Sequence, residues 1–226
     1  MHERWRPRWW AVAVAVVVTF VGGAATYTPL FAADDIRVEG ASIPDAEVLA
    51  IAGLDDTTNV FHLDEELIEA RLRADPRILD ATVRTSLPDA ISIAVVPRSA
   101  VAILDSSLVG EDGVVIGPVV PGLGSLPSIR GNVRAGAATA AAMSPGLRRS
   151  VDAIVVAADG EIRVRLGPAS SAILGDRTQL SAKTASLAAL LRWAAGAGVS
   201  IASADVTVPG SPSVKLDDGR SVTPST

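Results

Sequence analysis

The sequence predicts an α+β protein with a single N-terminal transmembrane helix, a first domain in β-α-α-β-β order and a second mixed-sheet domain with a packed helix. Three observations predict this architecture: a long uncharged segment near the start of the chain, alternating helix and strand patterns over residues 34–97, and a strand-rich stretch over residues 98–216. The 226 residues are enough for one or two domains with real hydrophobic cores.

The uncharged segment occupies residues 9–33 and as a helix would extend roughly 37 Å, more than the roughly 30 Å hydrocarbon core of a bilayer. We therefore predict a transmembrane helix over residues 9–31 that contacts the lipid bilayer. Arginines at positions 4, 6 and 8 precede it, and the positive-inside rule keeps residues 1–8 in the cytoplasm. The prediction is a single-pass type II protein of the inner (cytoplasmic) membrane, with its bulk outside the cytoplasm.

A cleaved signal peptide is the alternative interpretation of the same segment. Its apolar run would be residues 11–21, and its small-residue cleavage site would be residues 23–25. Both interpretations place the rest of the chain outside the cytoplasm. They differ in whether it stays tethered to the membrane.

Composition excludes several kinds of function. The chain has no cysteine, which removes thiolate metal sites, iron–sulfur clusters and cysteine nucleophiles. The net charge is -5, and because the arginine-rich start is basic, the rest of the chain is more acidic still, which argues against nucleic acid as a partner. We predict a protein without a metal, a cofactor or catalytic residues.

His62 and Asp64 form the one histidine–carboxylate pair that could be read as catalytic. No nucleophile motif or metal-ligand spacing accompanies the pair. Asp64 also precedes a helical pattern in the position of an N-cap. We therefore interpret His62 as a loop residue and Asp64 as a helix cap.

The first domain begins with a short alternating strand over residues 36–40. A helix follows over residues 44–53, and a second helix begins after Asp64 and ends at Pro76. Two strands, residues 78–86 and 90–96, flank the turn residues Pro88 and Asp89 and complete the domain.

The second domain has weaker signals. Its clearest element is a helix over residues 179–195, with Leu180, Thr184, Leu187, Leu191 and Ala194 at helical spacing. An alanine-rich helix over residues 135–149 should be fragmented by Gly136, Pro145 and Gly146. The remaining predicted elements are strands over residues 101–104, 114–116 and 172–175, a hairpin over 151–166, strands over 205–208 and 213–216, and a flexible tail over 217–226.

With catalysis unsupported, we expect the protein to act through an exposed sheet edge. An edge strand leaves backbone N–H and C=O groups unpaired, so another chain can add a strand to it. We predict that residues 213–216 form this edge and that nearby apolar side chains add contacts. The predicted partner-binding residues are Val206, Val208, Ser213, Val214, Lys215, Leu216 and Lys183. For Lys183, a partner contact and a plain solvent-facing position both remain open.

Several segments recur in the order typical of one bacterial family. Residues 36–54 (IRVEGASIPDAEVLAIAGL) and 59–104 resemble the POTRA domain of the FtsQ/DivIB cell-division family and the segment that follows it. LVGEDGVVI, LPSIRG, ILGDRTQLSAKTASLAALL and ADVTVPGSPSVKL are similar to later family segments. The chain departs from the family pattern in its short cytoplasmic tail and in Val208 and Leu216, where some members carry aromatic residues.

The resemblance implies a POTRA domain over residues 34–97, an FtsQ-type β domain over 98–216, and a non-enzymatic role at the division septum. It implies binding of bitopic FtsB/DivIC- and FtsL-type partners through the C-terminal strands, control of septal peptidoglycan synthesis, and contacts of the POTRA domain with other divisome proteins. The alternatives are a POTRA-type assembly chaperone of the cell envelope and a secreted hydrolase.

Overall fold

A computed structural model describes residues 15–16, 33, 35–55, 58–120 and 124–223. The chain divides into two compact units, with the boundary between Pro97 and Arg98. Mixed α+β structure is found in both units, as the sequence predicts.

The first unit has the predicted β-α-α-β-β order. Its elements are β1 (Asp35–Glu39), α1 (Asp45–Ala52), a 3₁₀ turn (Val60–His62), α2 (Glu65–Ala74), β2 (Ile78–Ser86) and β3 (Ala90–Pro97). β3 is the central strand, parallel to β1 and antiparallel to β2. The alternating buried side chains of β2 and β3 pack with Val48, Ile68 and Leu72 of the helices to form its core.

Local chemistry explains where the two helices of this unit begin and end. The Asp64 carboxylate accepts the N–H of Leu67 at 3.1 Å, so the predicted N-cap of α2 is confirmed. Gly53 ends α1 in the left-handed region, at φ 72°, which glycine adopts without a Cβ penalty.

The second unit contains one ten-stranded mixed sheet and three helices within the residues that the structure describes. Its elements are β4 (Ala100–Leu104), β5 (Ser107–Gly110), β6 (Val115–Pro118), β7 (Ser128–Gly131), α3 (Val133–Ala142), α4 (Pro145–Arg149), β8 (Ala153–Val156), β9 (Ile162–Arg165), β10 (Ser171–Gly175), α5 (Leu180–Ala197), β11 (Ile201–Asp205), β12 (Ser213–Leu216) and β13 (Ser221–Val222). Across the sheet, the strands follow the order β13, β12, β11, β10, β9, β8, β7, β4, β5 and β6.

The alanine-rich segment forms two helices, and the chain breaks before Pro145 but not at Gly136, where a break was also predicted. Pro145 starts α4 after the cap of Ser144, as a proline at the first helical position does. Gly136, in contrast, lies inside an unbroken α3. A Cβ on Gly136 would lie 2.6 Å from Cγ2 of Ile129, so this glycine lets the helix pack closely against β7.

The long helix α5 buries a slightly different face from the one predicted. Thr184, Leu187 and Ala194 are buried as expected, but Leu190 is buried where the prediction had Leu191, which is only partly covered. The Thr184 hydroxyl donates a hydrogen bond to the carbonyl of Ala142 at 2.9 Å, which ties α5 to the end of α3.

No helix in the described part of the chain is long and apolar enough to cross a membrane. The segment predicted to do so, residues 9–31, lies outside the described residues apart from Ala15 and Val16. The transmembrane helix and the membrane topology therefore remain predictions.

Candidate partner-binding surfaces

The predicted edge strand is formed, but it is not the edge of its sheet. β12 pairs with β11 on one side, and β13 lies on its other side, with Val222 opposite Val214 and Ser221 opposite Lys215. The N–H of Leu216 also donates to the carbonyl of Arg220 at 2.8 Å. The prediction of an open edge at residues 213–216 is therefore wrong.

The flexible tail predicted over residues 217–226 is also wrong for its described part. Residues 217–220 form a turn, and residues 221–222 form β13. The sequence holds a signal for this hairpin, because Asp218-Gly219 is a turn dipeptide between two short alternating segments. Gly219 adopts φ 85°, as such turns require.

The predicted partner residues of this region separate into core and surface positions. Val206, Val214 and Leu216 are buried and belong to the hydrophobic core of the unit. Ser213 and Lys215 point to solvent on the alternate positions of β12, and Val208 is 61% exposed in the loop that precedes it. Of the four apolar residues predicted to bind a partner, Val208 is the one whose side chain a partner can contact at the surface.

Lys183 lies away from this group, on α5, and its solvent-facing interpretation is wrong. Its side chain is only 4% exposed. The ammonium donates hydrogen bonds to the carboxylate of Asp176 at 2.7 Å and to the Asp176 carbonyl at 3.0 Å. These contacts, with further hydrogen bonds from Thr178, lower the pKa of Asp176 to about 2. A partner contact by Lys183 remains untested, and the structure gives the side chain an internal role.

The free side of β2 in the first unit is occupied by side chains of α2. The Glu69 carboxylate accepts the N–H of Val83 at 2.9 Å, and the Glu65 carboxylate accepts the N–H of Thr85 at 2.7 Å. Arg73 donates to the carbonyl of Ala81 at 3.0 Å. Backbone groups that another strand would need are therefore already paired, which is one way in which proteins protect a sheet edge.

The pKa of Glu69 is held below its usual range, first by the N–H of Val83 and then by Arg73. The pairing therefore persists to lower pH than an ordinary glutamate would allow. Because the folded-state pKa is depressed, any stability from Glu69 is fully present above the ordinary value of 4.5 and is lost as the pH falls from there through the lowered folded-state pKa.

We expect Glu69→Leu to release the Val83 amide. The substitution removes the acceptor of the Val83 N–H. Hydrogen exchange at Val83 should become about fivefold faster or more, because one ordinary hydrogen bond contributes about 1 kcal/mol. Hydrogen exchange followed by NMR measures this directly. Glu69→Gln keeps an acceptor oxygen and serves as the control. Unchanged exchange at Val83 in Glu69→Leu would show that Glu69 does not protect this edge.

The other candidate site, His62 with Asp64, lies at the start of α2 and in the 3₁₀ turn that precedes it. The Asp64 carboxylate is engaged in capping α2, and the His62 ring lies edge-on against Phe61 with 5.2 Å between ring centroids. The helix-cap interpretation of Asp64 accounts for this carboxylate.

Comparison with known proteins gives matches to one family. Residues 31–98 match the FtsQ-type POTRA domain. Three curated relatives, each named cell division protein FtsQ, share 34% identity over 78 residues (Bradyrhizobium diazoefficiens), 34% over 92 residues (Syntrophotalea carbinolica) and 32% over 133 residues (Anaeromyxobacter sp. strain K). The predicted resemblance to the FtsQ/DivIB family is confirmed.

These matches cover only part of each protein. They span 33%, 40% and 54% of this chain, and 23%, 33% and 45% of the respective relatives. The chain thus matches less than half the length of each of these relatives. The third match is longer than the POTRA match, so similarity extends beyond the POTRA domain.

Proposed function

We propose that this chain, which carries an FtsQ-type POTRA domain over residues 31–98, is a non-enzymatic component of the bacterial division machinery. The observation that carries the proposal is the POTRA match combined with three relatives that are cell division proteins. Its role is to link early and late division proteins at the septum.

The proposed partners are bitopic proteins of the FtsB/DivIC and FtsL types, which this chain binds through the C-terminal strands of its second unit. Through them it controls septal peptidoglycan synthesis. The POTRA domain makes further contacts with division proteins. Anchoring by residues 9–31, with the N-terminus in the cytoplasm, holds both units near membrane-bound partners and raises their effective concentration.

The described surfaces are compatible with a scaffold that contacts its partners through side chains and strands. Val208 and Lys215 are exposed near the C-terminal end of the large sheet. β2 of the POTRA domain is closed by α2, so POTRA contacts would use surfaces other than this edge. Affinity at such surfaces depends on a few well-placed residues more than on total area.

Depletion of the protein in its own organism tests the proposal. We expect filamentous cells that grow and do not divide, and division should be restored by wild-type protein expressed from a second copy. Loss of outer-membrane proteins with normal division would instead support the envelope-chaperone alternative. A strain that divides normally with an intact envelope would contradict both roles.

A further inference from the structure

On the side of β12 that faces away from β11, the backbone groups are paired with residues 220–222 of the same chain. The Leu216 N–H donates to the Arg220 carbonyl, and antiparallel bonds alternate along a ladder, so the main-chain groups of Val214 and Val222 face each other. The preceding residue with the same outward orientation is Pro212, which has no N–H. A partner strand can therefore reach β12 only where β13 now lies.

The strand that occupies this position is short. β13 has two residues, whereas β12 has four, and the Val222 side chain is only partly buried against the core. Two hydrogen bonds close the turn that joins the two strands. The N–H of Gly219 donates to the carbonyl of Leu216, and the guanidinium of Arg220 donates to the carboxylate of Asp218 at 2.7 Å. β13 is paired only with Val214 and Lys215, so a longer incoming strand can lie along all four residues of β12.

We infer that β13 is a displaceable cover and that a partner strand replaces it on β12. This inference rests on the proposed function, because it assumes that the C-terminal strands bind a division partner. The bound state then needs β13 to leave its place. The apparent affinity is the affinity of uncovered molecules multiplied by the fraction of molecules in which β13 has left β12.

The position of β13 defines the chemistry of the strand that replaces it. Val222 packs against the hydrophobic core from the face that Val214 and Leu216 share, so the replacing strand needs an apolar side chain there. Lys215 is exposed on the opposite face and has Ser221 as its cross-strand neighbour. A polar or acidic residue suits that position. The occupant is therefore an extended protein segment with alternating apolar and polar or acidic residues.

Two proline substitutions distinguish replacement of β13 from addition outside it. Val222→Pro removes the N–H that faces β12 and should release the cover. Ser221→Pro removes an N–H that faces away from β12, on the outer side of β13, where proline is tolerated at a sheet edge. Val222→Ala keeps the backbone N–H and controls for loss of the valine side chain.

The binding probe is the fluorescently labelled extracytoplasmic segment of an FtsB/DivIC-type protein from the same organism, titrated into the full chain in lipid nanodiscs. We expect Val222→Pro to bind about tenfold more tightly than wild type, equivalent to about 1.4 kcal/mol. Ser221→Pro should bind like wild type. Thermal unfolding of each variant establishes that the rest of the unit is folded.

Three results would overturn the inference, and they separate its failure from that of the proposed function. Weaker binding by Ser221→Pro, with no gain for Val222→Pro, means that the partner adds outside β13. Equal binding by all variants means that it binds elsewhere on the chain. If no variant binds, the proposed FtsB/DivIC-type partner is wrong, and the inference fails with it.

Discussion

Gly131→Ala should destabilise the second unit by about 3 kcal/mol or more, the largest effect we expect from a single substitution in this chain. Gly131 is the last residue of β7 and adopts φ 89°, and a Cβ built on it would lie 2.0 Å from the carbonyl oxygen of Val156 in the neighbouring strand. That backbone oxygen belongs to a paired strand and cannot move aside cheaply. Equilibrium urea unfolding of the purified chain measures the loss.

Gly160→Ala is the matched control for this prediction. Gly160 has nearly the same backbone conformation, φ 88°, but no atom lies within 4 Å of the Cβ that would be added. Gly160→Ala should therefore lower the free energy of unfolding by only about 1–2 kcal/mol, the cost of a left-handed backbone conformation for a residue with a Cβ. The difference between the two variants isolates the clash with Val156. Equal losses would show that the sheet accommodates the added methyl group.

The same geometry gives a physical reason for one segment of the family resemblance. Gly131 ends the LPSIRG segment, and it stands where the chain leaves β7 to enter α3, directly before the capping residue Asn132. The carbonyl of the paired Val156 leaves no room for any side chain at this position. The sequence resemblance identifies the glycine, and the structure explains why no other residue serves.

Elements with strong local signals were predictable from the sequence, and the first unit has many of them. Asp64 caps α2, Gly53 ends α1, and alternation marks both long strands, so local chemistry and tertiary structure agree there. β5 and β7 were missed because each has only four residues and contains a glycine. β7 has parallel partners, β4 and β8, and such pairing is not visible in a local pattern.

At the candidate site too, local structure could be predicted from the sequence, whereas contacts with distant residues could not. The strand at residues 213–216 was predictable, but its position within the sheet depended on the two residues of β13. Lys183 also carried a usable signal, since it stands three positions after Leu180 and four before Leu187, on the apolar face of α5. Its charge suggested solvent exposure, and its partner, Asp176, lies in the loop before the helix.

The buried Lys183 gives the second large effect, and its two partners should respond unequally to substitution. Asp176→Ala leaves the ammonium of Lys183 with only the backbone carbonyl at position 176, and we expect this uncompensated charge to destabilise the unit more than Lys183→Met does. Lys183→Met removes the charge and keeps much of the volume, so it should cost less than about 1.5 kcal/mol. Urea unfolding of the two variants and wild type tests the order.

The pH dependence provides an independent check on the same pair. The pKa of Asp176 is lowered from its ordinary value of 3.8 to about 2 by Lys183 and Thr178. Because the folded-state value is depressed, the stabilisation is fully present above the ordinary value and is lost as the pH falls toward 2. Wild type should therefore lose more stability than Lys183→Met between pH 5 and pH 2. Parallel pH profiles, or a larger loss for Lys183→Met than for Asp176→Ala at neutral pH, would mean that Lys183 is held by packing of its aliphatic stem rather than by its charge.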